Sequence, residues 1–396
     1  MADRLKILVL NEVSARGLQR LPADRYVTGK DVTAPDAVLV RSADMHAMDI
    51  PHSVRAIARA GAGTNNIPVK VMSERGVPVF NAPGANANAV KELVVAAMLM
   101  AARNLSGAMR FVDELAPGRA DLEKTVENGK SAFAGFELAG QTLGIAGLGK
   151  IGCLVADAAI KLGMNVLGYD PDITVDAAWS LPSQVRKAAS VADVLRNAQF
   201  VTLHVPLVDA TRNMVNADNI RLMPPGAVLL NFSREGVVSN EAVLSSLASG
   251  HLGRYVCDFP SAALLGHERI VCLPHLGACT REAEENCAVM VADQLRDFLE
   301  DGNIANAVNF PSVSMGRESA YRVAIANANV PNMLGQISTA MANAGLNIHN
   351  MVNKSRGDMA YTLVDIDSAV SPAVLADIAS IDGVLSARYL PRAAPR

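Results

Sequence analysis

Gly144-Ile145-Ala146-Gly147-Leu148-Gly149-Lys150-Ile151-Gly152, followed eighteen residues after its last glycine by Asp170, has the residue types and spacing of a dinucleotide site. An apolar strand, Thr142 to Ala146, runs into the glycines. Cys153 to Leu162 begins a helix behind them, and Asn165 to Tyr169 reads as the next strand, ending at the acid. In that context Gly147 permits a tight turn, Gly149 lets the backbone approach a pyrophosphate, and Gly152 lets the helix pack on the strand, so the first amides of the helix face the anion. Asp170 would then take the adenosine ribose hydroxyls. A carboxylate there repels a 2'-phosphate, and Pro171-Asp172-Ile173-Thr174 holds no basic residue, so the spacing predicts NAD rather than NADP.

Two further side chains sit where such a site needs them. Asn231-Phe232-Ser233-Arg234-Glu235-Gly236 follows a strand, which places Arg234 at a carboxyl strand end, where open α/β sheets bind ligands. A guanidinium there can grip a carboxylate with two parallel hydrogen bonds. Pro274-His275-Leu276-Gly277-Ala278 follows another strand end, and the ordinary histidine pKa of ~6.5 suits exchange of a proton with a hydroxyl or carbonyl oxygen. His204 reads as loop packing beside the cofactor rather than as a catalyst.

At 396 residues the chain predicts two or three domains, and half of its residues are apolar, enough for large cores. A formal charge of -3 without basic runs gives no footprint for nucleic acid. No apolar run reaches membrane-spanning length, and Met1 to Leu10 turns straight into a strand without a signal-peptide core, so a soluble cytoplasmic protein is expected. Cys153, Cys257, Cys272, Cys279 and Cys287 show no C-x-x-C spacing, which predicts reduced thiols, no disulfide framework and no metal site.

The elements that must position these residues alternate from the start. Ile7 to Leu10, Ala37 to Val40, Ala56 to Ala60 and Val77 to Phe80 read as strands of a parallel sheet. A long helix from about Ala87 to Asn104 leads to the glycine unit, whose later strands are Phe200 to His204, Ala227 to Asn231, Arg254 to Asp258 and Ile270 to Leu273. A second long helix, Arg281 to Glu300, leads back, which makes the first domain discontinuous. Asp301 to Met315 loses its periodicity and reads as a linker. The remainder has the order β-α-β-β-α-β of a ferredoxin-like unit. The expected architecture is therefore α/β, with two doubly wound parallel-sheet domains, flavodoxin-like and Rossmann-like, and a ferredoxin-like C-terminal domain. Residues 1–95 and 283–310 form the substrate-binding domain, 96–282 the nucleotide domain and 320–396 the C-terminal one.

In this order the elements resemble the D-isomer-specific 2-hydroxyacid dehydrogenases, and the C-terminal unit resembles an ACT domain. The resemblance covers nearly the whole chain. It takes in Arg41-Ser42 after a strand, the loop Arg59 to Asn66, Asn81 to Asn86, the glycine fingerprint, Leu203-His204-Val205-Pro206-Leu207, and the Arg234 and His275 motifs. It implies NAD-dependent oxidation of a phosphorylated 2-hydroxy acid, 3-phospho-D-glycerate, to 3-phosphooxypyruvate at the entry to L-serine synthesis, by a homodimer or homotetramer responsive to L-serine. Hydride would move between C2 of the acid and the nicotinamide, Arg234 would hold the carboxylate and polarise the reacting group, and His275 would remove the hydroxyl proton. Backbone around Gly61, Ala62 and Gly63 would also receive the carboxylate. Positions resembling the family's phosphate contacts are Arg41, Arg59 and Lys130. Those resembling its cofactor contacts are Lys150, Ile151, Asp170, Phe232, Ser233, Arg234, Asp258, His275, Leu276, Gly277 and Ala278, beside Gly147, Gly149 and Gly152. Asn327, Asn329 and Asn347 resemble the positions with which ACT domains bind small amino acids between subunits. Rival readings are a glyoxylate or hydroxypyruvate reductase of the same family and, without turnover, an NAD-sensing corepressor of the same fold.

The chain departs from the family in one place. The family carries a glutamate about five residues after the aspartate that matches Asp258, and that glutamate orients the histidine and raises its pKa. The corresponding position here is Ala263, in a segment about six residues shorter than the family's. Glu268 entering from the shortened loop, Asp258 itself, or an unassisted histidine with a more acidic pKa are the alternatives.

Overall fold

The computed structural model describes residues 4–117 and 119–392. The chain forms two compact units, one from the residues up to Asn86 together with those from Arg281 onward, the other from Ala87–Thr280. Among the described residues no single helix is long and apolar enough to cross a bilayer.

In the first unit Ala37-Val38-Leu39-Val40 is apolar and buried at every position, the pattern of a strand covered on both faces. It belongs to a parallel sheet of β1 (Leu5–Leu10), β2 (Tyr26–Gly29), β3 (Ala37–Val40), β4 (Ala56–Arg59) and β5 (Val79–Phe80), in the order β2-β1-β3-β4-β5. Ile7, Leu39 and Ala58 point to one face, against Ala288, Val291, Leu295 and Phe298 of the long helix Arg281–Asp301. Val38, Val40 and Ile57 point to the other, around Met72. Residues 301–315 are no free linker. Ile304, Ala307, Phe310 and Val313 are buried, and Asn309 accepts from Val79 N and donates to Val77 O at the sheet edge. An irregular backbone buries these side chains without a helical or strand period, so their spacing carried no signal.

The second unit holds β6 (Thr142–Ala146), β7 (Asn165–Tyr169), β8 (Arg186–Lys187), β9 (Phe200–Leu203), β10 (Ala227–Asn231), β11 (Leu252–Cys257) and β12 (Ile270–Cys272). All pair in parallel, in the order β12-β11-β10-β9-β6-β7-β8. The winding reverses between β6 and β9, the switch point at which such sheets bind ligands. Helix Ala87–Ala102 packs its whole apolar stripe, Val90, Val94, Ala97, Met98 and Ala101, into one core with Ile145, Val155, Val228 and Val256. That packing moves the division of the chain from 95/96 to 86/87, and the second cut falls at 280/281.

The C-terminal segment is an antiparallel sheet of β13 (Tyr321–Ala328), β14 (Ile348–Arg356), β15 (Met359–Ile366) and β16 (Val384–Pro391), ordered β14-β15-β13-β16. Helices Met333–Asn343 and Pro372–Ala379 cover one face around Val323, Ile337 and Ile378. On the other face Ala324, Ala326, Tyr361 and Leu363 share a core with Phe298 and Phe310, which is why this segment groups with the first unit rather than standing apart. Arg322 fastens the joint. Its guanidinium is fully buried and uses all five N–H groups, on both carboxylate oxygens of Asp365 at 2.6 and 2.9 Å and on the carbonyls of Asp301, Met315 and Gly316.

Burial alone would raise the Asp365 carboxyl, but the Arg322 bonds and the Glu318 N–H outweigh it and leave the pKa below the ordinary carboxylate value. Its contribution to stability is therefore complete above the unfolded value of about 4 and disappears as pH falls through the lower native one. Arg322→Met strands a buried carboxylate and is expected to destabilise this sheet by about 3–5 kcal/mol at neutral pH, with the loss shrinking below pH ~4. Urea denaturation followed by hydrogen exchange of β13 and β15 checks this; a loss that did not depend on pH would contradict it.

Candidate active site

Because every strand of the seven-stranded sheet runs the same way, the segments after β6, β7, β10, β11 and β12 emerge along one carboxyl edge. The glycine loop follows β6. Gly147 has φ +93, and a Cβ there would meet His204 O at 2.4 Å; a Cβ on Gly152 would meet Gly147 O at 2.0 Å. Both positions exclude any other residue. Gly149 differs: it begins helix Lys150–Lys161 with no side-chain cap, and nothing lies within 4 Å of where its Cβ would be. That open cradle at an uncapped helix start fits a pyrophosphate, with the amides of Lys150 and Ile151 as its first donors. Asp170, after β7, accepts from Leu148 N at 2.8 Å and from Asp172 N at 3.0 Å, so it also anchors the glycine loop. His204, after β9, meets Thr202 Oγ1 through Nε2 at 3.0 Å, and burial lowers its pKa to about 3. It stays neutral at working pH.

After β10 the chain turns on Asn231, which is fully buried. Its Oδ1 accepts from Ser233 N and Oγ, at 3.2 and 2.9 Å, and its Nδ2 donates to Arg234 O at 2.9 Å. Phe232 and Ser233 are buried beneath, while Arg234 is exposed, its Nη1 resting on Ser233 O at 2.6 Å. Asn231 thus sets where the arginine stands, a role that its place in the motif did not reveal.

His275 stands beyond β12, and its backbone has φ +58, a conformation that only a surrounding structure sustains in a histidine. Asp258, at the end of β11, supplies that structure. Its carbonyl accepts from His275 N at 3.1 Å, its Oδ1 from Leu276 N at 2.7 Å and its Oδ2 from Gly277 N at 2.8 Å. Burial pushes the Asp258 carboxyl up, and those two amide bonds oppose the shift. Asp258 therefore holds the His275 loop by its backbone, and no hydrogen bond joins it to the imidazole. Glu268 precedes β12 whereas His275 follows it, at opposite ends of a strand roughly 10 Å long, and no hydrogen bond or ion pair joins the two among the described residues, so Glu268 is not the histidine's partner here. Its charge acts instead on Arg254, near the start of β11. Ala263 is exposed, and the ring packed on His275 is that of Phe259. Leu276 and Ala278 are exposed on the same loop and Gly277 is buried.

The first unit gathers a second set. Val40 pairs with Arg59, so Arg41 and Arg59 leave neighbouring strand ends. Arg41 is paired with Glu284, and Arg59 Nε donates to Asn66 Oδ1 at 2.9 Å. The Arg59 guanidinium lies across the loop Gly61–Gly63: a Cβ on Gly61 would meet its Nη1 at 2.4 Å. Asn81 Nδ2 holds Ala62 O and Ala82 N holds Gly61 O, which fixes the loop. Lys130 belongs to the other unit, where it is exposed and paired with Glu127. In the C-terminal sheet Asn327 is buried and donates to Ala328 O, and Asn329 donates to Gly357 O. Asn347 is exposed at the opposite end: Ile348 pairs with Ile366 and thereby with Tyr321, six residues and roughly 20 Å from Asn327. One copy of the chain does not bring the three asparagines together.

Asp258→Asn keeps the volume but turns an amide N–H toward one backbone N–H, leaving a buried donor unsatisfied at a cost of about 1–3 kcal/mol. Turnover is expected to fall roughly 5- to 100-fold, with faster hydrogen exchange at Leu276 and Gly277; unchanged exchange at those amides would refute the clamp.

The sequence and the fold are similar to those of known proteins. The family model described as D-isomer specific 2-hydroxyacid dehydrogenase, NAD binding domain, matches residues 95–277. D-3-phosphoglycerate dehydrogenase of Escherichia coli K12 is 30% identical over 417 aligned positions, spanning 98% of both chains. The Synechocystis protein of that name is 35% identical over 70% of this chain and 50% of its own. Among solved structures, the NAD+-bound 3-phosphoglycerate dehydrogenase of Entamoeba histolytica shares the fold, with a TM-score of 0.60, 23% identity and coverage of 77% of this chain and 99% of that one. The chain belongs to the D-isomer-specific 2-hydroxyacid dehydrogenase family and is an NAD-dependent oxidoreductase.

Proposed function

We propose that the enzyme oxidises 3-phospho-D-glycerate to 3-phosphooxypyruvate. Two guanidiniums on adjacent strand ends beside an ordered glycine loop carry this reading, because Arg41 and Arg59 offer a dianionic phosphate charge that an unphosphorylated acid does not need. The near full-length similarity to D-3-phosphoglycerate dehydrogenases supports the same substrate. NAD, held by the Gly149 cradle and Asp170, supplies the hydride acceptor. Arg234 grips the substrate carboxylate and polarises the C2 oxygen. His275 accepts the hydroxyl proton as the C2 hydrogen departs with its electron pair, so that C2–O becomes a carbonyl and one proton passes to solvent through the imidazole.

With NAD as acceptor, kcat/KM for 3-phosphoglycerate is expected to exceed that for glycerate by at least 100-fold. Arg41→Ala and Arg59→Ala should each raise KM for the phosphorylated acid roughly 10- to 100-fold, the value of a charged hydrogen bond. Equal kcat/KM for the two acids would instead favour a glyoxylate or hydroxypyruvate reductase, and no turnover of any hydroxy acid would revive the binding-protein reading.

The same proposal extends to regulation by L-serine at Asn327, Asn329 and Asn347. These lie at opposite ends of one sheet, so a site using all three is completed by a second copy of the chain. Serine titration should inhibit the wild type and lose at least 10-fold in potency in Asn347→Ala; identical inhibition curves would reject the site.

A further inference from the structure

His275 has its backbone fixed by Asp258, yet no hydrogen bond among the described residues holds its ring. An imidazole on a fixed backbone still has two side-chain torsions to settle, and a catalytic proton acceptor needs them settled. The group that meets the ring is Phe259, the residue directly after Asp258. The ring centroids are 5.0 Å apart and the planes are inclined by 62°, the edge-to-face arrangement that aromatic quadrupoles favour. We infer that Phe259 is the positioning residue of His275, its ring orienting the imidazole by packing where relatives of this fold use a carboxylate. One backbone segment then does both tasks: Asp258 sets the histidine main chain and Phe259 sets its side chain. Packing fixes direction without selecting which nitrogen carries the proton, so both ring nitrogens stay available, one to the substrate oxygen and one to water. The inference rests on His275 as the proton acceptor.

Phe259→Leu keeps apolar bulk and removes the ring. An aromatic pair of this geometry corresponds to roughly a 2- to 10-fold effect on kcat. The variant is expected to show that loss with KM for NAD and melting temperature unchanged, and Phe259→Tyr to restore the wild-type rate. In solution the His275 Cε1–H resonance, assigned against His275→Gln, should carry a ring-current shift that disappears in Phe259→Leu and persists in Phe259→Tyr. Wild-type kcat with an unmoved resonance in Phe259→Leu overturns the inference, as does a lowered melting temperature with kcat unchanged. His275→Gln separates the two levels. Loss of turnover there with an unaffected Phe259→Leu removes the Phe259 role alone, whereas full turnover in His275→Gln removes the proton acceptor on which it depends.

Discussion

The chemistry of this chain depends on strand direction. Seven parallel strands, with β9 and β10 at their centre buried at every position, deliver every following loop to the same carboxyl edge, and the glycine loop, Asp170, Arg234, Asp258 and His275 all follow strand ends of that sheet. A parallel sheet needs helical crossovers on both faces, and its strands can be apolar on both sides because none of the functional groups is carried within them. The division of labour is plain in β10, where Ala227 to Asn231 are all buried and the first exposed residue is Arg234. Burial fixes the strand, Asn231 fixes the turn, and the guanidinium reaches solvent three residues later.

Asp258 shows how a carboxylate next to a histidine can be mistaken for its partner. A buried carboxylate needs its charge satisfied, and the strongest available donors are the amides of Leu276 and Gly277, which both oxygens receive. Once they are in place, the left-handed backbone of His275 is over-determined by a tether on its own N–H and two on the residues that follow. The arrangement controls the position of the backbone that carries the imidazole. Positional error of even 1 Å is costly for proton transfer, so a rigid loop is a substantial contribution by itself.

Much of this was legible in the sequence, because the relevant signals are local. Glycines that tolerate no Cβ, an acid at the end of the next strand, and apolar runs of strand length are readable one segment at a time. What escaped depends on contacts between distant segments. β8 is two exposed basic residues, Arg186 and Lys187, paired only through Leu167 and Gly168, and β2 ends in Thr28 and Gly29; neither has an apolar pattern. Residues 301–315 pack without any period. Helix Ala87–Ala102 carries one apolar stripe from end to end, so nothing in its spacing says which sheet it joins, and the expected cut at 95/96 ran through its middle. Glu268 was a candidate only because a shortened loop has no visible geometry; the strand that follows it places it at the wrong end of β12. Asn231 was visible as a residue and invisible as a support, since its three hydrogen bonds close on atoms within three positions.

The attachment of the C-terminal sheet follows the same logic of satisfied charge. Arg322 ties β13 to the carbonyl of Asp301 at the end of helix Arg281–Asp301, and Arg388 of β16 stacks over Phe298 at 4.4 Å while donating to the carbonyls of Phe298 and Leu299. Both arginines therefore meet the last turn of one helix, where unpaired carbonyls concentrate negative potential. That helix packs its Val291 and Leu295 beneath β1, β3 and β4, the sheet whose strand ends carry Arg41 and Arg59. A ligand that shifted β13 or β16 would have to strain either these buried guanidinium contacts or the helix they hold, and the helix is the cheaper to move as a rigid body than the charges are to desolvate unpaired. Any such coupling would act through that helix on the sheet whose strand ends carry Arg41 and Arg59.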